Sequence, residues 1–337
     1  LEKWRDDPSM MHESHLSGIS GPATTARGRF PLAWVLSAVL LVVVAVLGVQ
    51  ITRRPAAEIP RYSFNIELEG EESLTGVGCV GVLSPDGHWI AWNTADGIRN
   101  RQDSESTSRL LDDTRGASSH TFSPDSRWLA FSFRGGLWRV SILGGAPIRI
   151  CDLATPRGIA WVDDTSIVIV PSITSGLHLV DLSSGSVREV TRPDSTASER
   201  SHRWPTVVPG QRAVLYECQF LGRDYDQSDV RMFSLDDETS KTIYRGGGAP
   251  QATAHGQLLF AQDFTLFAVE WDGTNPVSDA LPIPVLENLE TSVGNQEDDD
   301  GSAQFSVDHD GTLLYFDRGS RRTEINRLAW LDIATGE

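Results

Sequence analysis

The sequence predicts an all-β fold, a six-bladed β-propeller of four-stranded antiparallel blades, preceded by a single transmembrane α-helix. Three observations predict it. Residues 122–139 read FSPDSRWLAFSFRGGLWR, and 39 positions earlier, from Leu83, the chain has already read LSPDGHWIAW. A repeat of that period marks blade and solenoid arrays. No helical apolar periodicity follows residue 60, whereas the uncharged run from Phe30 to Thr52 stands alone near the N-terminus. Hydrophobic content of 39% and ten Trp exclude a disordered chain and promise a core.

Residues 1–29 hold four basic and four acidic side chains, and Ser17–Arg29 (SGISGPATTARGR) is small and polar. This segment is expected to be a flexible juxtamembrane tail. Residues 30–52 (FPLAWVLSAVLLVVVAVLGVQIT) carry no charge and are bracketed by Arg27 and Arg29 before and Arg53 and Arg54 after. At about 1.5 Å per residue such a helix crosses a hydrocarbon core of roughly 30 Å, so a single span is expected here. Basic residues within about 20 positions number two before the run and three after it, so the positive-inside rule does not orient the span. Residues 53–60 read as a linker and 61–337 as the propeller. The remaining 25 basic and 42 acidic residues follow the apolar run, so the net charge of −17 (25 − 42) lies there. An acidic domain of this kind repels nucleic acid, which is excluded as a partner.

Six phrases recur, ending at Trp92, Phe131, Ile169, Tyr216, Phe260 and Tyr315, with steps of 39, 38, 47, 44 and 55 residues. Each has the same grammar. A short apolar strand ends in Ser-Pro-Asp-Gly or a relative, where Pro presets φ, Asp bonds its own turn and Gly accepts positive φ. The next strand is apolar on consecutive positions, as in Trp128–Phe131 (WLAF), which suits a strand covered on both faces. Gly135-Gly136 and Gly144-Gly145 then punctuate a third and a more polar fourth strand, and four strands per 40 or so residues is a propeller blade. The last unit shows strands at Ala303–Val307, Thr312–Asp317 and Asn326–Asp332 and then ends. Arg61–Leu68 (RYSFNIEL) reads as a strand suited to fill the missing place, and the chain, opening on Leu1, reads as a fragment truncated at its C-terminus.

These phrases resemble the TolB-type propeller repeat, and more closely the extracytoplasmic region of bacterial membrane-anchored serine/threonine protein kinases. The resemblance rests on SPDGHWIAW (84–92), FSPDSRWLAF (122–131), GGLWRVSILGGAP (135–147), SHRWPTVVPGQRAVLY (201–216), GQLLFAQDFTLFAVEWD (256–272), AQFSVDHDGTLLYFDRG (303–319) and RLAWLDIATGE (327–337). It implies a cytoplasmic kinase domain ahead of the span and a sensor propeller beyond it. The expected location is thus the cell membrane, single-pass, with the N-terminus cytoplasmic and the propeller periplasmic or extracellular. The implied role is a protein- or ligand-binding scaffold in signal transduction, with an unknown protein or small ligand at the propeller loops and a possible homodimer in the membrane. ATP and Mg are implied only for the kinase. No kinase residue carries over, because GxGxxG, HRD and APE motifs are lacking and Asp263-Phe264-Thr265 is only close to DFG. Two other readings stay open: the gating propeller of a membrane-anchored α/β-hydrolase peptidase, and a kinase-free TolB-like envelope scaffold.

No catalytic, cofactor-binding or metal-binding residue is assigned from the sequence. His12-Glu13-Ser14-His15 has the wrong spacing for HExxH, whose His residues must share a helix face. Glu297–Gly301 (EDDDG) lacks the end positions of an EF-hand loop and reads as a solvated loop. Asp308 and Asp310 read as turn formers, and Ser119-His120 as structural packing. No GxSxG is present. Cys79, Cys151 and Cys218, odd in number and each in a predicted strand, read as buried thiols. Trp89, Trp92, Trp128, Trp138 and Trp161 are assigned to the slots between blades. Recognition is expected in the loops Asp194–Ser201, Leu221–Asp229 and Glu290–Gly301.

Overall fold

The structure, a computed structural model, describes residues 36–37, 39–44, 74, 76–277, 280–292 and 300–318 with their surroundings, and the backbone of 65–67 and 327–332. The tail 1–29, the linker 53–60, the His12–His15 stretch and residues 293–299 lie outside the described residues. The chain divides into two units, Leu1–Pro60 and Arg61–Glu337.

In the first unit, residues 36–37 and 39–44 are helical. The expected span over 30–52 is overturned: among the described residues no helix is long and apolar enough to cross a membrane. The single-pass membrane location expected for the chain loses the element it rested on.

The second unit is an array of four-stranded antiparallel sheets. Five blades are built from consecutive strands. Blade 1 is β2 (Gly81–Leu83), β3 (Trp89–Thr94), β4 (Gly97–Gln102) and β5 (Arg109–Leu110); blade 2 is β6 (Ser118–Phe122), β7 (Trp128–Phe133), β8 (Gly136–Ser141) and β9 (Ile148–Asp152). Blade 3 is β10 (Ile159–Asp163), β11 (Ser166–Ile169), β12 (His178–Asp181) and β13 (Val187–Glu189). Blade 4 is β14 (Glu199–Val207), β15 (Ala213–Phe220), β16 (Asp229–Ser234) and β17 (Thr239–Arg245). Blade 5 is β18 (Gly248–Ala252), β19 (Gln257–Gln262), β20 (Thr265–Glu270) and β21 (Ile283–Leu286).

The six-bladed expectation is thereby corrected to five blades of this kind. Among the described residues the sixth phrase supplies β22 (Phe305–Val307), β23 (Thr312–Tyr315) and β24 (Arg327–Asp332), three strands where a blade has four. It forms a composite sheet in the order β1-β24-β23-β22, with β1 (Asn65–Glu67) drawn from before blade 1 and paired antiparallel to β24.

The Ser-Pro-Asp turns work as their chemistry requires. Ser84 Oγ accepts the Trp89 N–H at 2.9 Å and donates to Asp86 Oδ1 at 2.5 Å, while Asp86 Oδ1 accepts the His88 N–H at 3.1 Å. Ser123 and Asp125 repeat the arrangement, and Ser126 takes the left-handed position (φ 58°) that Gly87 (φ 73°) fills in the first copy. Asp308 also caps its own turn, its carboxylate accepting the Thr312 N–H at 2.8 Å.

Strands with apolar residues on consecutive positions are covered on both faces: all eight residues of β15 are buried, and so are Leu129–Phe133 of β7. Their side chains fill apolar clusters between successive sheets. Ala91 and Ile98 of blade 1 meet Leu129, Phe131 and Val140 of blade 2, and Leu215 and Met232 of blade 4 meet Leu258 and Phe260 of blade 5. Val80 just ahead of β2, with Ile90 and Trp92 of β3, packs on Leu314 of β23 and on Phe316 just after it, which closes the ring. The assigned Trp residues belong to these slots: Trp92 and Trp161 are buried, and Trp89, Trp128 and Trp138 are partly buried against them. Cys151 and Cys218 are buried free thiols; Cys79 is only partly buried and lies just ahead of β2 rather than in a strand.

Candidate functional site

The innermost strands β2, β6, β10, β14, β18 and β22 surround an axial cavity of about 450 Å³. Small-molecule sites span roughly 300–1,000 Å³. The wall is mainly apolar, with Val82, Ile159, Val207 and Val307 among its residues, and carries scattered hydrogen-bonding groups such as Thr121, Thr206 and Gln251. Among the described residues no carboxylate lines it, although the whole chain has a net charge of −17; the charged or titratable groups at the wall are Arg212, His120, His309 and the Cys79 thiol. Arg212 is shared between Asp163 and Asp236, each at 2.9 Å. Burial pushes His120 down to about 4, so its ring is neutral, with Nε2 donating to the Ala91 carbonyl at 3.1 Å.

Three of the innermost strands are bulged where they meet one end of the cavity. Register shifts at Ser118/His120, Arg203/Thr206 and Gly248/Gln251 place Ser119, Trp204 and Ala249 at φ of 45°, 47° and 48°. Non-glycine residues in the left-handed region are uncommon, and bulges re-aim side chains near functional sites. Here they turn polar groups toward neighbouring blades: Ser119 Oγ donates to the Val77 carbonyl at 3.0 Å, and the Ala249 N–H donates to Glu217 Oε2 at 3.1 Å.

Trp204 closes this end. A Cβ added to Gly78, ahead of blade 1, would stand 2.8 Å from Trp204 Cζ3, so the blade 4 indole reaches across to blade 1. Its Nε1 donates to the Asp300 carbonyl at 3.2 Å, and the Asp300 carboxylate accepts the N–H groups of Gly78 (3.2 Å) and Ser302 (2.8 Å). Gly78 sits at φ 81°, where an L side chain is strained by about 1–2 kcal/mol. Gly78→Ala is expected to lower the unfolding free energy by about 2 kcal/mol, from the left-handed backbone together with the indole contact. A denaturant melt that leaves the variant within about 0.5 kcal/mol of wild type, the range of an ordinary surface change, would contradict this packing.

Arg203 lies behind the plug, fully buried. Its Nε donates to Ser201 Oγ at 2.7 Å, and its two terminal nitrogens donate to Tyr225 OH (3.1 Å), the Asp300 carbonyl (2.9 Å) and the Ile173 carbonyl (3.2 Å). Beside it, Glu217 is wholly buried, and burial pushes its carboxyl up to about 7 despite the Ala249 N–H, the Arg203 charge and the Ser228 hydroxyl, which act the other way. The end of the cavity is thus a buried polar network.

The structure draws together parts of the loops that the sequence marked for recognition, but as interior. Tyr225 from Leu221–Asp229 and Asp300 from Glu290–Gly301 are buried partners of Arg203. Asp300 is buried rather than solvated, while Glu297–Asp299 of its run lie outside the described residues. Asp194 caps a turn of 3-10 helix at Ser195–Ala197, accepting from the Thr196 N–H at 2.8 Å. Trp204, Arg203 and Glu217 carry no sequence signal of their own, because their roles come from bulges and cross-ring contacts. The SHRWP phrase was the available clue.

No protein-family model matches the chain, and no curated protein matches it. Solved structures do. An oligogalacturonate lyase in complex with manganese aligns at 12% identity and a TM-score of 0.51, over 77% of this chain and 78% of that one. A nidogen/laminin complex aligns at 13% and 0.56, over 74% and 90%. A putative TolB from Agrobacterium tumefaciens aligns at 16% over 66% and 88%, with a TM-score of 0.49, too low to weigh. At these identities the likenesses show the fold alone.

Proposed function

We propose that the propeller is a non-catalytic binding scaffold whose axial cavity takes a small, largely apolar ligand without a positive charge. The observation that carries this is the plugged cavity of about 450 Å³, walled by one strand of every sheet and, among the described residues, free of carboxylates in a strongly acidic chain. A cation would find no counter-charge at that wall, whereas an apolar body is favoured by roughly 25 cal/mol per Å² removed from water. Bulged strands on a rigid ring hold such a site preorganised, which lowers the ordering cost of binding. The motif resemblance supports the finer reading, that this scaffold is the sensing part of a signalling polypeptide that also contains a serine/threonine kinase. A coding sequence whose upstream part carries no kinase motifs would remove that part and leave the cavity reading intact.

An anilinonaphthalene sulfonate, an apolar anionic fluorophore, is a suitable probe. One saturable equivalent is expected to bind the wild type. In Val82→Trp, where the added indole narrows the cavity, binding should fall at least tenfold in a protein that still melts cooperatively. Binding that does not saturate, or that is equal in the two proteins, refutes the cavity as the site.

A further inference from the structure

Blade 4 carries a second constellation, away from the axial cavity. In antiparallel β14 and β15, His202 stands directly opposite Cys218. Glu199 lies three residues before His202, which in a regular strand of period two would place the two side chains on opposite faces. A register shift between Glu199 and Ser201 adds one residue, Arg200, to the β14 side and returns Glu199 to the His202 face. The bulge therefore gathers a carboxylate, an imidazole and a thiol. All three residues are buried, and one ligand atom from each lies within 4.8 Å of the other two.

We propose that Glu199, His202 and Cys218 form a binding site for one divalent transition-metal ion of the zinc class, independent of the axial cavity. Carboxylate oxygen, imidazole nitrogen and thiolate sulfur are the three donor types zinc accepts, at about 2.0–2.3 Å each. Closing the present separations to that geometry takes side-chain shifts of roughly 1 Å.

The surroundings are arranged as an outer shell. His202 Nδ1 lies 2.7 Å from Thr191 Oγ1, which also accepts the Leu177 N–H at 2.8 Å and has a lone pair left for the imidazole. In the metal-free protein the Thr191 hydroxyl donates to Nδ1 and Nε2–H donates to Glu199 Oε2, 3.3 Å away; with an ion bound, Nδ1–H would donate to Thr191 and leave the Nε2 lone pair for the metal. Metal-binding histidines are oriented in this way. Tyr216 packs on the imidazole at 4.8 Å between centroids and holds the ring plane. The Asp194 N–H fixes Glu199 Oε2 at 2.8 Å, and Arg231 holds Glu199 Oε1 at 2.7 Å.

The charges close as well. Asp229 lies opposite Cys218 on the other neighbouring strand, 3.9 Å from Arg231. Asp229 is also 3.3 Å from Arg245 and is shared between the two arginines, while Glu199 and a Cys218 thiolate supply two negative charges to a divalent ion. Without the ion the thiol carries its proton, as an ordinary cysteine does at neutral pH. Binding therefore forms a metal–sulfur bond, breaks the S–H bond and releases that proton to solvent.

The test is titration of the chelator-treated 337-residue protein with Co²⁺, followed by zinc competition. To restrict the readout to one thiol, Cys79 and Cys151 are both replaced by Ser in the reference protein. One equivalent is expected to bind with the near-ultraviolet charge-transfer absorption of a cobalt–thiolate bond, with close to one proton released per ion and a raised melting temperature. Thr191→Val should weaken binding about 10- to 100-fold while leaving the absorption band, as loss of an outer-shell partner does. Cys218→Ser should abolish the band. No band in the folded reference protein, or a band that survives Cys218→Ser, overturns the proposal, and the first outcome needs no variant at residue 218 to fold.

Discussion

Arg203→Met is expected to lower the unfolding free energy by about 3–5 kcal/mol, the cost typical of removing one partner from a buried charged network. Methionine matches the length and apolar stem of arginine, so the effect isolates the guanidinium. In the wild type that group serves Ser201, Tyr225, Asp300 and Ile173 at once, and its charge favours the ionised form of Glu217. Truncation leaves the Asp300 and Ile173 carbonyls short of a donor and removes the cation from a buried carboxylate. Arg188 provides the control. It bonds Glu238 at 2.6 Å with both side chains more than half exposed, and exposed pairs contribute at most about 1 kcal/mol. Arg188→Met should therefore be nearly silent in the same guanidinium titration. Equal losses in the two variants would show that the Arg203 network is no stronger than a surface pair.

Glu217→Gln is expected to change how stability depends on pH. The folded-state value of about 7 lies above the ordinary 4.5, so between those limits the folded protein holds a proton that the unfolded chain releases. Stability from this group is complete below about pH 4.5 and is lost as pH rises toward 7. At about 1.4 kcal/mol per pH unit, the wild type loses roughly 3 kcal/mol across that window relative to the Gln variant, which cannot ionise. Glu199 works in the opposite sense at lower pH: bonds from His202, the Asp194 N–H and Arg231 outweigh its burial and bring it down to about 2, so its contribution is lost only as acid protonates it. The difference between wild type and Glu217→Gln should thus be flat below pH 4.5, steep to 7 and flat again above. A pH-independent difference would place the Glu217 carboxylate in contact with solvent.

Much of the blade architecture was legible because its causes are local. The Ser84–Gly87 and Ser123–Ser126 turns are specified within four residues each, and the both-face burial of β7 follows from WLAF being apolar at consecutive positions. The three-strand sixth unit was also visible in the chain. So was Arg61–Leu68 as the strand suited to its missing place; β1 pairs with β24 from more than 230 positions earlier, which leaves five blades built from consecutive strands. The span expected over residues 30–52 is not found: among the described residues no helix is long and apolar enough to cross a membrane.

The candidate sites were far less legible. Asp300 looked like one more acid in a solvated loop, yet it is buried, with bonds to Gly78, Arg203 and Trp204 that span 222, 97 and 96 residues. Glu199 and His202 looked unrelated because strand period two separates them, and a bulge no motif announces puts them on one face beside Cys218.

By itself, the sequence determined that this chain makes short antiparallel strands joined by Ser-Pro-Asp turns, repeated at blade spacing, with large apolar residues between sheets. Tertiary structure alone decided that five units form complete blades, that Trp204 plugs the axis, and that Arg203, Glu217 and Asp300 share one buried network. The division has a physical reason: turn chemistry and side-chain alternation act over a few residues, whereas bulge positions and cross-ring contacts exist only once distant strands have met.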